Sequence, residues 1–190
     1  MIDFSVLKTR VSVSPLFFAV LTLVLLVDKT GVSGYAVLFS LLHELGHILA
    51  LLCTKTFPEA VVLTVFGIHI KLPGNLSTAK ECLVLMAGFT VNFLLAFLFH
   101  FFEKTVFEIV NLAIGIFTAL PLPSTDGGTV LKTFLENYLP QKAKKTFEII
   151  SVISVFIFSF VFILFSVLTK NYFIFIAVIY MIFCTIKTAA

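Results

Sequence analysis

Residues 43–47 read His-Glu-Leu-Gly-His, two imidazoles and a carboxylate set into a largely apolar run from Val32 to Cys53. Residues four apart on a helix share a face, so His43 and His47 can reach one metal ion while Glu44 reaches the water beside it. That is the donor pattern of a zinc hydrolase. The plainer alternative is a chance cluster, or histidines paired with each other in a bundle. Ionisable groups inside apolar spans are rare, face a bundle interior or a wet cavity, and usually mark function, which favours the metal.

The elements that must position this group are those of a membrane protein. Of 190 residues 60% are hydrophobic and 12% charged, with 24 Phe and no Trp, and the mean hydropathy is +1.16. Long apolar segments separated by short polar ones predict a single domain over 1–190, an all-α polytopic membrane protein of six transmembrane helices with a small membrane-surface β-hairpin or sheet. The spans are expected at about 15–27, 32–53, 82–102, 106–122, 147–169 and 172–186. The first is short and preceded by Lys8 and Arg10, but no small-residue cleavage site follows it, so it is read as retained. A net charge of +3 with scattered basic residues argues against a nucleic-acid surface. Cys53, Cys82 and Cys184 show no metal-finger spacing and are read as buried free thiols.

Two stretches depart from helix periodicity. Residues 1–13 are rich in β-formers and predict a short surface strand. Residues 61–72, with alternation clearest in Gly67-Ile68-His69-Ile70-Lys71-Leu72 before a Pro-Gly turn, predict a hairpin. Bare strands are not tolerated in lipid, so the hairpin must pair or line a wet cavity, and the N-terminal strand is the partner at hand.

Gly31 precedes His43 by twelve residues, or about 18 Å of helix, which carries the motif past the middle of the bilayer. In the third span Gly88 permits close packing, and Asn92 either bonds another helix or lines the site. The fourth span breaks at Pro121-Leu122-Pro123-Ser124-Thr125-Asp126-Gly127-Gly128, where Asp126 reads either as a side chain lining a cavity or as the N-cap of a following helix. The last two spans carry no acid, base or amide in their interiors and serve as packing helices. Of 13 Lys and Arg, ten fall on the side of Lys8, Lys71 and Lys142, and three, Lys29, Lys104 and Lys170, on the other. The positive-inside rule then puts both termini in the cytoplasm, with Asp126 and the deeper end of the histidine helix on that side.

A catalytic zinc takes three protein ligands and one open position. Topology removes Asp28, His100, Glu103 and Glu108 from consideration, and Glu59, Glu81, Glu136 and Glu148 read as solvated or interfacial charges. Asp126 remains, with His69 as runner-up.

These motifs in this order, HELGH in the second span, Ala87-Gly88 followed by Asn92 in the third and a Pro-rich loop ending in Asp126-Gly127-Gly128, resemble the site-2 protease family of intramembrane zinc metalloproteases. The likeness runs over nearly the whole chain, and the six-span plan is similar to the bacterial sporulation stage IV factor FB branch. The resemblance implies zinc held by His43, His47 and Asp126, with Glu44 as general base. It implies a membrane-tethered protein substrate cut near the cytoplasmic face of a bacterial cell membrane, with a regulatory membrane protein as a further partner. Asn92 corresponds to the family's third-span asparagine. Thr118 and Ser124 stand where many members have Asn and Pro in loop positions that hold substrate. Substrate must unwind to expose its carbonyls, and the strand Gly67, Ile68, His69, Ile70 could hold it extended. A metal or proton transporter is the competing class, but an ion path should be lined along its length and these ionisable groups cluster at one depth.

Overall fold

The computed structural model describes residues 2–6, 9–64, 67–74, 76–169, 178–179, 181–182 and 185. In chain order these give β1 (Ile2–Val6), β2 (Thr9–Val13), α1 (Pro15–Val27), α2 (Val32–Cys53), β3 (Ala60–Thr64), β4 (Gly67–Lys71), α3 (Thr78–Phe101), α4 (Thr105–Ala119), α5 (Asp126–Tyr138) and α6 (Ala143–Thr169). Two compact units divide the chain, Met1–Ile116 and Phe117–Ala190.

In the first unit, α1 and α2 begin and end where local chemistry dictates. Pro15 at the first helical position has no N–H to leave unsatisfied. The chain then reverses at Asp28, whose carboxylate accepts from the Thr30 hydroxyl at 2.6 Å and from the backbone N–H of Ser33 at 2.6 Å. Gly31, at φ +74°, supplies the left-handed residue that launches α2. The helix α2 packs along α3 at close range: a Cβ on Gly46 would stand 2.8 Å from Val91 Cγ2 and 2.9 Å from the Ala87 carbonyl oxygen. Small residues at this seam let the two backbones approach. Ala50, Leu51 and Val84 form its buried core, with Ile70, Leu72 and Leu76 packed against it.

The sheet has the order β1-β2-β3-β4. The residues expected to form one strand over 1–13 form the antiparallel hairpin β1–β2, with Phe4 opposite Val11. As expected, this N-terminal segment pairs with the second hairpin: β2 runs parallel to β3, Val11 opposite Val61, and β3 runs antiparallel to β4, Val62 opposite His69. The Thr9 hydroxyl donates to the Pro58 carbonyl at 2.9 Å and ties the two hairpins at one end.

In the second unit α5 and α6 pack through Leu135, Ala143 and Phe147, while Val155 of α6 and Met181 pack against Leu120 and Leu122 of the Pro-rich segment. The Ser151 hydroxyl donates to the Pro121 carbonyl at 3.2 Å, fixing that segment to α6.

Among the described residues, Val32–Cys53, Thr78–Phe101 and Ala143–Leu164 are helices long and apolar enough to cross a membrane, while Pro15–Val27 and Thr105–Ala119 are apolar but shorter. The helix expected from Cys82 starts at Thr78, after the cap position Ser77, so Lys80 and Glu81 belong to its first turn. The one expected to reach Leu122 stops at Ala119, because a residue preceding proline is pushed out of the helical region and Pro121 follows Leu120. The span expected at 172–186, Cys184 included, lies almost wholly outside the described residues. Cys53 is exposed and Cys82 half-buried, so these free thiols are not the buried ones expected.

Candidate metal centre

One turn of α2 separates His43 from His47, and both rings turn into the α2–α3 seam, where each residue is 5% exposed. Each ring is anchored through Nδ1. His43 Nδ1 lies 2.7 Å from Asn92 Oδ1, and His47 Nδ1 lies 2.7 Å from the carbonyl oxygen of Val84. Both partners are acceptors, so both Nδ1 atoms carry the proton and both Nε2 atoms present a lone pair. Those lone pairs face each other across 3.2 Å, with the rings nearly perpendicular at 83°.

Two ring nitrogens brought together at that separation can act on one ion. Two nitrogens bound to one tetrahedral zinc at about 2.0–2.1 Å stand about 3.3–3.4 Å apart. Donor type, tautomer and spacing therefore fit a metal ion. Gly88 of α3 completes the fit: a Cβ there would overlap Nε2 of His47 and lie 2.6 Å from Nε2 of His43. Only hydrogen at that position leaves the convergence point open.

Asn92 has no exposed surface and works in two directions. Its oxygen accepts from His43, and its Nδ2 donates to Asn111 Oδ1 at 3.1 Å and, at a longer 3.4 Å, to the Phe39 carbonyl. Of the two expectations for this amide, bonding between helices is what the structure shows. Asn111 is equally buried and donates to the Phe107 carbonyl at 2.8 Å. It was missed from the sequence, although the signal was the one applied to Asn92, an amide inside an apolar run. Glu44, next to His43 on α2, is half-buried.

Asp126 belongs to the second unit as the first residue of α5 and is half-buried. It is not the N-cap. Thr125 caps the helix, its Oγ1 accepting from Gly128 N–H at 3.2 Å, and the same hydroxyl lies 2.5 Å from the Leu120 carbonyl and 3.0 Å from that of Leu122. An acidic side chain at this first position is favoured by the helix dipole. Gly127 and Gly128 hold the turn by lacking side chains: a Cβ on either would overlap the backbone carbonyl of Ala119 or Leu122. Thr118 is half-buried near the end of α4, and Ser124 is exposed in the loop.

On the sheet, Ile70 packs toward the α2–α3 core, and strand alternation sends His69 to the opposite face, where it is exposed. His69 is thereby set aside as a ligand. Gly67, Ile68, His69 and Ile70 lie on β4, which with β1 forms the edges of the described sheet. His100, expected at an interface, is exposed and pairs with Glu108 at 3.1 Å. Glu59, Glu136 and Glu148 pair with Lys71, Lys132 and Lys144 at 3.4–3.8 Å, exposed or partly exposed contacts of the kind worth little.

No protein-family model matches the chain, and no curated protein matches it. Among solved structures it is similar to the Site-2 Protease from Methanocaldococcus jannaschii, with a TM-score of 0.66 and 18% identity over 100% of this chain and 95% of that one. The chain has the fold of a site-2 protease. That likeness extends to its full length, although the resemblance to the sporulation branch in particular gains nothing from it.

Proposed function

We propose that the protein is an intramembrane zinc metalloprotease of the site-2 type, acting on a membrane-tethered protein substrate. The observation that carries this reading is the convergence of His43 Nε2 and His47 Nε2 to 3.2 Å, with both Nδ1 atoms tethered to acceptors. His43 and His47 supply two of the donors, and Asp126 is the third ligand in this reading, as the order of the motifs in the sequence implies. The fold shared with a site-2 protease and three helices long enough to cross a bilayer support it.

When bound, zinc supplies Lewis acidity toward a peptide carbonyl and an acidified water. The chain's own residues do the rest. Glu44 takes the proton from the attacking water and returns it to the leaving amine. Asn92 and the Val84 carbonyl hold the imidazoles in the tautomer that ligates. The outer edge of β4 in the described sheet offers backbone groups to an unwound substrate segment by strand addition, with Thr118 and Ser124 contributing to substrate selection. The active site opens toward the cytoplasmic face of a bacterial cell membrane, with both termini on that side and a regulatory membrane protein controlling access.

The test compares the wild type with Glu44→Gln, His47→Ala and Asp126→Ala, measuring zinc per chain and cleavage of a tethered substrate. Glu44→Gln should retain zinc and lose turnover, whereas the other two should lose both. Undiminished cleavage by Glu44→Gln would overturn the assignment, and metal-dependent ion flux without proteolysis would replace it with a transporter.

A further inference from the structure

Four groups form one directed hydrogen-bond chain: the His43 ring, the Asn92 amide, the Asn111 amide and the Phe107 carbonyl, at successive separations of 2.7, 3.1 and 2.8 Å. Its direction follows from the far end. The Phe107 carbonyl can only accept, so Asn111 must present Nδ2 to it and Oδ1 to Asn92. Asn92 must then present Nδ2 to Asn111 and Oδ1 to His43, which leaves His43 with its proton on Nδ1. The chain is shielded from water, since both amides are fully buried, and the rings of Phe39 and Phe107, whose carbonyls the amides meet, pack with that of Phe99 at centroid separations of 5.2–5.7 Å.

The two histidines differ in this respect. His47 bonds a main-chain carbonyl, which cannot turn round. His43 bonds a side-chain amide that presents either an acceptor or a donor according to its flip. A flipped Asn92 would donate to His43 Nδ1, force the ring proton onto Nε2 and remove the lone pair that a metal needs. The Phe39 carbonyl at 3.4 Å opposes that flip only weakly.

We propose that Asn111 is a positioning residue for the metal centre: by accepting from Asn92 it sets which end of that amide meets His43, and so which nitrogen of His43 is left to bind metal. The inference rests on the reading of His43 as a ligand.

The experiment uses the full chain and two readouts, nitrogen NMR of ring-labelled histidine in the metal-free protein at alkaline pH, and cobalt affinity. In Asn111→Leu the His43 ring should shift in part to the Nε2–H form while His47 stays Nδ1–H, and cobalt should bind roughly ten- to a hundredfold more weakly. Adding Asn92→Asp to Asn111→Leu should restore the Nδ1–H form of His43, because a carboxylate accepts through either oxygen. An Asn111→Leu protein whose His43 ring and cobalt affinity match the wild type overturns the proposal, as does an equal change at both rings, which would mark general loosening of the seam. Should Asn111→Leu not fold, the wild type alone decides: the chain requires Nδ1–H at His43, and Nε2–H there overturns it. Wild-type protein that binds no cobalt would defeat the metal reading itself, whatever its rings show.

Discussion

The two segments that carry the proposed ligands are ordered by different means. The α2–α3 seam holds its histidines with side-chain and carbonyl acceptors and leaves one hydrogen-sized opening at Gly88. The Leu120–Gly128 segment holds Asp126 with main chain: one threonine hydroxyl gathers two carbonyls and two N–H groups, and two glycines allow backbone to press on backbone. A seam built from side chains can lose its chemistry and keep its shape. A turn built from backbone contacts loses both together.

The sharpest test of that contrast is a pair of glycine substitutions. In Gly128→Ala the new methyl meets the Leu122 main chain, which cannot move aside without moving the prolines that flank it. Stability should fall by about 3 kcal/mol or more, read as a lowered thermal transition in detergent. In Gly88→Ala the methyl meets two ring nitrogens, so zinc content should collapse while the transition falls by only about 1–2 kcal/mol. The reverse pattern, fold lost at 88 and metal alone lost at 128, would break the comparison.

A smaller effect is expected at the cap. Thr125→Val keeps the shape and removes the hydroxyl, and should cost about 1–2 kcal/mol, whereas Thr125→Ser should stay within a few tenths. Equal losses for the two would mean that the methyl group, not the hydroxyl, orders the turn.

The smallest effect belongs to a turn that uses the same device in water. Hydrogen bonds from the Thr30 hydroxyl, then from the backbone N–H groups of Ser33 and Thr30, hold the Asp28 carboxyl well below the usual carboxylate range. Because the folded value is depressed, the contribution is complete above the ordinary value of about 3.9 and is lost as pH falls through the folded one. The wild type should therefore exceed Asp28→Asn slightly in thermal transition from neutrality to about pH 5, and the gap should close only in strong acid. A gap that closes between pH 7 and 5 would contradict the assignment of those hydrogen bonds.

What could be read beforehand divides along similar lines. The bounds of α1 and α2 followed from Pro15, the Asp28–Gly31 turn and an unbroken apolar run, all local signals. The pairing of the N-terminal segment with the second hairpin was reached by a need, that of unpaired strands for a partner, whereas its parallel direction was not legible. The N-terminal reversal into two strands was not legible, since alternation continues in sequence whether a strand runs on or folds back. Thr125 was overlooked as the cap because Asp126 is also a capping residue type, and only the backbone decides between neighbours. Asn111 was overlooked because an amide announces its partner only when the facing helix is known.

The parallel pairing of β2 with β3 also sets an order of events during synthesis. Val13 and Leu63 are register partners fifty positions apart, and α1 and α2 lie between them. At about 5–20 residues per second, the ribosome completes β3 roughly 3–10 s after β2. An isolated hairpin is marginal in water, so β1–β2 spends that interval without a stable neighbour. The histidine helix is thus already made when the sheet closes, and sheet closure becomes a late step that reports on whether the two helices before it have been delivered correctly.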